Sequence, residues 1–153
     1  MINIIGIDPG GTTGIAHLVS DCPPKFHELT PRNAEQWIWA YLSVWTQPSV
    51  ARPPSILHIV CERFITSKRS VRVSRQSDAA DVGGAIQTLC TDAQNVRFHW
   101  QTPSDAKLIT DYVLRRTNLK PKIRMPHAAD VARHAALALL KYYPQSYKHL
   151  RLS

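Results

Sequence analysis

Residues 3–16, NIIGIDPGGTTGIA, constrain the fold of this chain more than any other stretch. The β-branched run that ends at Asp8 is continuous, which is typical of a strand buried on both faces. PGGTTG then predicts a turn with glycines available for positive φ, and residues 13–19 predict a second strand in a hairpin with the first. Asp8 is therefore left where burial stops. A turn does not need this carboxylate, so Asp8 is either an ordinary loop residue or part of a binding site.

The rest of the chain alternates helices and strands. The predicted elements are a strand near 25–30, a helix over 31–46, a strand over 56–62, a helix from Ser77-Asp78 to about 92, a strand over 95–100, helical stretches over 102–117 and a helix over 127–142. This order predicts an α/β fold with a mixed sheet, in which an antiparallel three-strand meander precedes parallel strands joined by helical crossovers. Residues 1–153 are expected to form one domain, with a basic tail from about 144.

The composition restricts the partners of the protein. Lys and Arg total 19 against 11 acidic residues, a net charge of +8, which suits nucleic acid or an anionic membrane surface. The N-terminus does not resemble a signal peptide, and no apolar run approaches the roughly 18 residues of a membrane span. Cys22, Cys61 and Cys90 form no CxxC pair and are interpreted as reduced thiols. We therefore expect a soluble, cytoplasmic protein that does not enter a membrane.

Two acids close predicted buried strands in the same way. Asp8 ends the first strand and Glu62 ends the fourth, so parallel neighbours would bring both carboxylates to the carboxyl edge of the sheet, where α/β proteins bind ligands. Either acid alone is more simply explained as the first residue of a solvated loop. Two acids in matching positions favour a shared site.

The last predicted helix supplies further candidates. His127 and Asp130 lie three residues apart at its start and share a face, although capping alone would account for Asp130. Clustered carboxylates need a compensating cation, and oxygen ligands suit Mg²⁺ or Mn²⁺. Two such ions about 4 Å apart support phosphodiester hydrolysis. His134 permits a rival zinc site of the form HxxDxxxH, but no Cys or HExxH partner accompanies it.

Two basic stretches flank these acids and predict contacts with DNA phosphates, although a solvated surface loop is an equal alternative for the first. Phe64 is a candidate for stacking on bases, with a place in the core as the simpler interpretation. Lys107, in TPSDAK, is the candidate for a phosphate-facing lysine in the catalytic set, whereas Asp105 is interpreted as a helix-start residue. The predicted DNA-binding residues are Phe64, Lys68, Arg69, Arg72, Arg75, Arg115, Arg116, Lys120, Lys122 and Arg124.

GIDPGGTTGIA, IVCERF and HAADVARHAALAL, in this order and spacing, resemble the acidic motifs of the RuvC-type Holliday-junction resolvases of the RNase H-like superfamily, particularly short phage-encoded members. The resemblance spans most of the chain. It implies an RNase H-like mixed sheet flanked by helices, and a homodimer that cuts opposed strands of a four-way junction during recombination or repair. It also implies that Asp8, Glu62, His127 and Asp130 bind Mg²⁺ or Mn²⁺, two ions per site. Many members have Asp where His127 stands, and His occurs there too.

Three other functions compete with junction cleavage. DPGGTTG also resembles the phosphate loop of sugar kinases and actin-like ATPases, but those proteins need two such domains, more than 153 residues supply. A nuclease acting on forks, flaps or RNA–DNA hybrids stays open. A non-catalytic DNA-binding module is disfavoured, because acids that face phosphates weaken binding.

Overall fold

The computed structural model describes residues 1–47, 55–63, 75–121 and 125–145, and of residues 75–79 it describes the backbone. The elements are β1 (Asn3–Asp8), β2 (Thr13–Val19), β3 (Lys25–Leu29), α1 (Pro31–Trp45), β4 (Leu57–Glu62), α2 (Arg75–Thr91), β5 (Val96–Gln101), α3 (Pro103–Ala106), α4 (Asp111–Arg116) and α5 (Pro126–Tyr142). This is the predicted order of strands and helices.

The five strands form one mixed sheet in the order β3-β2-β1-β4-β5. The β1–β2 and β2–β3 pairs are antiparallel, whereas β1–β4 and β4–β5 are parallel. This confirms the predicted meander followed by parallel strands. Ile7 pairs with Cys61, so the next residues, Asp8 and Glu62, lie at the same edge of the sheet.

Helices cover both faces of the sheet and create two apolar cores. Alternate β1 residues point to opposite faces: Ile4 packs in the core beneath α5, and Ile5 and Ile7 pack in the core beneath α1 and α2. Both cores are rich in fully buried side chains. The carboxyl edge of the sheet is thereby held between packed layers.

Two glycines let α5 approach the sheet closely. A Cβ added to Gly6 would lie 3.0 Å from the Val131 carbonyl oxygen, and one added to Gly14 would lie 2.9 Å from the His127 carbonyl oxygen. The PGGTTG turn does not use the positive φ that its glycines allow, because no glycine of the described ranges adopts one. The glycine of this motif that matters most to the fold is therefore Gly14, which contacts α5.

The helices depart from prediction in two places. The stretch over 102–117 divides in two: Thr102 and Asp105 form a capping box around α3, and Thr110 then caps α4. Ile109, buried between them, anchors the break. The second difference is that α2 begins at Arg75, so Ser77-Asp78 lies inside the helix instead of preceding it. No described helix has the length and apolar character needed to cross a membrane.

Candidate active site

Asp8 and His127 form the centre of the candidate site. Asp8 ends β1 with its side chain 13% exposed, and its Oδ2 lies 3.0 Å from His127 Nδ1 in the first turn of α5. Because a carboxylate only accepts, His127 donates this hydrogen bond. The sheet and the last predicted helix therefore bring these two residues into direct contact.

The electrostatic environment of Asp8 joins the other two acids to this pair. Burial raises the pKa of the Asp8 carboxyl, the hydrogen bond from His127 lowers it, and the negative charges of Glu62 and Asp130 raise it again. The net effect is a raised pKa. Asp8 is thus close enough to Glu62 and to Asp130 for their negative charges to act on it.

Glu28 fixes the start of α5 and was not predicted. Its Oε1 accepts hydrogen bonds from the backbone N–H groups of His127, at 2.9 Å, and Ala128, at 3.3 Å. The helix has no side-chain cap of its own, because the N-cap residue is Met125. Glu28 pairs with Gly14 across the sheet, and Gly14 pairs with Asp8. The predicted meander places Glu28 near this edge, but only the strand register shows that it reaches α5.

Glu62 is held by a second histidine of α5. His134 is fully buried, and its Nε2 lies 2.6 Å from Glu62 Oε2 while its Nδ1 lies 2.8 Å from Gln101 Oε1. The zinc alternative that groups His134 with His127 and Asp130 gains no support, because both ring nitrogens of His134 are hydrogen-bonded to Glu62 and Gln101. His134 is i+7 from His127, a spacing that places both on one helix face.

Asp130 belongs to a chain of ion pairs between α5 and α4. Its Oδ1 lies 2.7 Å from Arg133 Nη1, and Arg133 Nη2 lies 2.7 Å from Asp111 Oδ1. Asp111 also pairs with Lys120 at 3.1 Å. These interactions lower the pKa of the exposed Asp111 carboxyl, the bond from Lys120 more than any other. The Asp130 side chain is 60% exposed, so it is accessible from solvent while it contacts Arg133.

The donor atoms of these residues are of the types that suit a hard divalent cation. Three carboxylates and one imidazole come to one sheet edge, and carboxylate oxygens are the ligands that Mg²⁺ and Mn²⁺ prefer. A cation would also relieve the repulsion that raises the pKa of Asp8. In the described ranges, however, no three His, Cys, Asp or Glu side chains are grouped closely enough to hold one ion. The carboxylates contact His127, His134 and Arg133 instead.

The predicted DNA-binding residues are only partly within the described ranges. Lys107 is exposed at the end of α3, and Arg115 and Arg116 are exposed in the last turn of α4. Lys120 is exposed and paired with Asp111. Arg75 begins α2, but its side chain is not described. Outside the described residues lie Phe64, Lys68, Arg69, Arg72, Lys122 and Arg124.

Comparisons with known proteins identify the fold. No protein-family model and no curated protein matches the sequence. The structure is similar to that of T. thermophilus RuvC in complex with a Holliday junction substrate, with a TM-score of 0.61 and 14% identity over 95% of this chain and 98% of that chain. It is also similar to another Thermus thermophilus RuvC structure, with a TM-score of 0.52 and 17% identity over 95% and 96% of the two chains. The RuvC-type fold inferred from the motifs is confirmed.

Proposed function

We propose that this protein is a divalent-metal-dependent DNA endonuclease that hydrolyses phosphodiester bonds at four-way junctions. The observation that carries the proposal is that Asp8, at one edge of a RuvC-type fold, contacts His127 and lies within electrostatic range of Glu62 and Asp130. The similar T. thermophilus RuvC structure contains a Holliday junction substrate, which supports branched DNA as the substrate class.

Each site residue has a distinct part in this proposal. Asp8, Glu62 and Asp130 supply carboxylate oxygens as metal ligands, and His127 is the fourth ligand, which also orients Asp8 through its hydrogen bond. Two Mg²⁺ or Mn²⁺ ions, when bound, activate water and stabilise the leaving oxygen of the phosphodiester. Glu28 holds the helix start from which His127 projects.

The proposed DNA contacts are electrostatic and independent of sequence. The net charge of +8 favours a polyanion. Lys107 follows β5 at the same end of the sheet as the acids and is the proposed phosphate-facing lysine, while Arg115 and Arg116 are exposed on α4. Lys120 and the residues outside the described ranges complete the proposed basic surface. Such contacts position a backbone without selecting a base sequence.

We also propose that the active species is a homodimer. A four-way junction is resolved by cutting two opposed strands, and a single site cuts one strand at a time. A two-fold symmetric dimer would present two equivalent sites to the two strands. Light scattering of the free protein, and of its complex with a junction, measures this directly.

Cleavage of synthetic DNA tests the proposed activity. A labelled four-way junction, a matched duplex and a fork are incubated with EDTA, Mg²⁺ or Mn²⁺. We expect paired nicks in the junction only, and only with a metal. Asp8→Asn should reduce the rate at least about 100-fold, because ligands to catalytic metals account for several kcal/mol of transition-state stabilisation, while junction binding in EDTA persists. Asp92→Asn, an exposed acid before β5 at the opposite sheet edge, is the charge-matched control.

The other outcomes select between the alternatives. Equal cleavage of fork and junction would indicate a broader branched-DNA nuclease. Binding without cleavage under every metal would indicate a non-catalytic junction-binding protein. That alternative draws on one observation, namely that each of the three carboxylates already contacts a side chain of the protein. Unchanged cleavage by Asp8→Asn would contradict the assigned site.

A further inference from the structure

A hydrogen-bonded set of three side chains lies behind the candidate site and belongs to three different elements. Glu62 ends β4, Gln101 ends β5 and His134 lies in the third turn of α5. Glu62 and Gln101 are paired in the parallel register of β4 and β5, so both side chains project from the same face of the sheet toward α5. The Arg63 N–H donates to the Gln101 carbonyl at 2.6 Å, which ties the two strand ends together.

His134 lies in apolar surroundings, where packing alone does not explain a histidine. It is fully buried, and its neighbours Val131, Ala135 and Ala138 on the same helix are buried apolar residues. Burying an imidazole without partners is costly, but here both ring nitrogens are hydrogen-bonded. Gln101 Oε1 only accepts, so His134 Nδ1 donates in this arrangement, whereas the amide turned by 180° would donate its N–H to Nδ1 instead. Residue 134 is therefore explained by its two polar partners.

The hydrogen bond from His134 restrains one carboxylate oxygen of Glu62, Oε2, and does not involve the other, Oε1. His134 Nε2 donates to Oε2 at 2.6 Å, and among the described residues no side chain or backbone group hydrogen-bonds Oε1. A carboxylate fixed in this way keeps one orientation and presents one oxygen to solvent or to a ligand. The Glu62 side chain is 22% exposed and therefore accessible from the site, whereas the His134 side chain is fully buried.

We propose that His134, supported by Gln101, is a positioning residue that holds Glu62 so that Oε1 alone is offered to the divalent metal. This inference rests on the proposed function, because it assigns Glu62 a ligand. Side chains that hydrogen-bond metal ligands typically affect metal affinity or activity by about 10–100-fold when they are replaced. His134 does not touch the substrate or the metal itself, and it acts through Glu62.

Two substitutions of similar size separate positioning from packing. The side-chain amide of His134→Gln reaches the place of Nε2 and can still donate to Glu62. The amide of His134→Asn reaches only the place of Nδ1, so it retains Gln101 as partner and loses Glu62. Both variants remove the ring and leave a polar amide in the core. If His134 only packs, the two variants should bind Mn²⁺ equally well. If His134 positions Glu62, His134→Asn should bind Mn²⁺ more weakly than His134→Gln.

The first measurement is Mn²⁺ binding to the free protein, followed by electron paramagnetic resonance of the unbound ion. We expect His134→Gln to bind Mn²⁺ within about threefold of the wild type, and His134→Asn to bind about 10–100-fold more weakly. The rate of junction cleavage should fall in the same order. Junction affinity in EDTA should be unchanged in both variants, because His134 is buried away from the DNA.

Thermal melting shows whether both variants are folded. All comparisons are made below the lower of the two melting temperatures. Gln101→Leu, which leaves His134 and Glu62 in place, should weaken Mn²⁺ binding in the same direction if the variants of His134 prove too unstable. Wild-type protein that binds Mn²⁺ and cleaves, with folded His134→Asn equal to it, overturns the positioning role alone. Wild-type protein that neither binds Mn²⁺ nor cleaves overturns the proposed function and the inference together.

Discussion

Asp8 carries its carboxylate in an environment that favours the neutral form. Burial and the charges of Glu62 and Asp130 outweigh the hydrogen bond from His127, so the pKa of Asp8 is raised. A carboxyl whose pKa is higher in the folded than in the unfolded state stabilises the fold at low pH. That stabilisation is lost as the pH rises through the pKa of the folded state. Above that pKa, and without metal, the ionised Asp8 therefore destabilises the protein.

Asp8→Asn should for this reason raise the stability of the metal-free protein while it removes cleavage. The amide keeps the size of the side chain and removes the repulsion. We expect a rise in melting temperature of about 2–4 °C at pH 7 in EDTA, as for a gain of about 1 kcal/mol. The gain should shrink as the pH is lowered through the raised pKa of Asp8, because the wild-type carboxyl then becomes protonated. A melting temperature equal to or below that of the wild type would contradict the electrostatic account of the site.

Glu28 is a testable determinant of the start of α5. Glu28→Ala removes the acceptor shared by the N–H groups of His127 and Ala128, whereas Glu28→Gln keeps an oxygen acceptor without the charge. We expect the alanine variant to lose about 1 kcal/mol of unfolding free energy, as for other helix caps, and the glutamine variant to lose less. Urea denaturation measures both. Equal losses would mean that the charge, and not the hydrogen bonds, holds the helix.

At the scale of elements, the packing of α5 on the sheet depends on the absence of a side chain at Gly14. A methyl group there would lie 2.9 Å from the His127 carbonyl oxygen and 3.0 Å from His127 Cβ. Gly14→Ala should therefore displace the first turn of α5 and cost about 1–3 kcal/mol, with a loss of cleavage of at least about tenfold because His127 moves relative to Asp8. Denaturation and junction cleavage measure these effects.

Gly84→Ala is the matched control for this prediction. Gly84 lies inside α2, where an added Cβ meets nothing within 4 Å. Alanine has the higher helix propensity, so this substitution should raise the free energy of unfolding by about 0.5–1 kcal/mol. Its cleavage rate should equal that of the wild type. If Gly14→Ala were as stable and active as Gly84→Ala, the conclusion that α5 approaches β2 too closely for a side chain at position 14 would be wrong.

The order and pairing of the elements could be predicted because each has a local signal. Isoleucine- and valine-containing apolar runs mark β1 and β4, and acids at their ends mark the carboxyl edge of the sheet. Two predictions failed where local signals are ambiguous. Thr110 interrupts a helical stretch that periodicity alone would continue, and α2 begins before the Ser77-Asp78 pair that resembles a cap.

The side-chain partners in the site could not be predicted in the same way. Glu28 reaches His127 only because β2 and β3 pair in a particular register. The bond between His134 and Glu62 depends on the rotation of α5 about its axis and on which rotamer each side chain adopts. Neither quantity has a signature along the chain, because both are decided by packing between distant segments.

At the scale of the whole molecule, half-buried histidines on both faces of the sheet predict that the fold is sensitive to acid. His17 contacts Trp37 and Tyr41 on one face, and His58 stacks on Tyr142 on the other. Burial is the main cause that lowers the pKa of each to about 4. The stabilisation that such a histidine contributes is fully present above its pKa in the unfolded state, about 6.5. It is lost as the pH falls toward the folded-state pKa of about 4.

His17→Gln should make stability less dependent on pH in this window. The amide can retain the hydrogen bond that His17 Nε2 makes with the Tyr41 hydroxyl at 3.0 Å, and it does not titrate. Urea denaturation at several pH values between 7 and 4 should give a shallower decline for the variant than for the wild type. Parallel declines would show that His17 contributes nothing to the acid sensitivity.

The charge distribution of the molecule predicts how DNA binding responds to salt. Each phosphate contact releases counterions, so the logarithm of the affinity falls linearly with the logarithm of the salt concentration. Arg115 and Arg116 lie on α4, which the ion pair between Asp111 and Arg133 connects to α5. Replacing both arginines by glutamine should weaken junction binding in EDTA and reduce the magnitude of the salt slope by about 2.

A second pair of cations provides a control with the same change in net charge. Arg97 lies at the start of β5 and Lys141 at the end of α5, so both are at the sheet edge opposite the acids. Replacing these two by glutamine should lower affinity slightly through the net charge, and it should leave the salt slope unchanged. If both double variants reduced the slope equally, DNA binding would follow the total charge of +8 and not a surface beside the site. A reduction confined to Arg115 and Arg116 would localise part of the DNA contact to the exposed surface of α4.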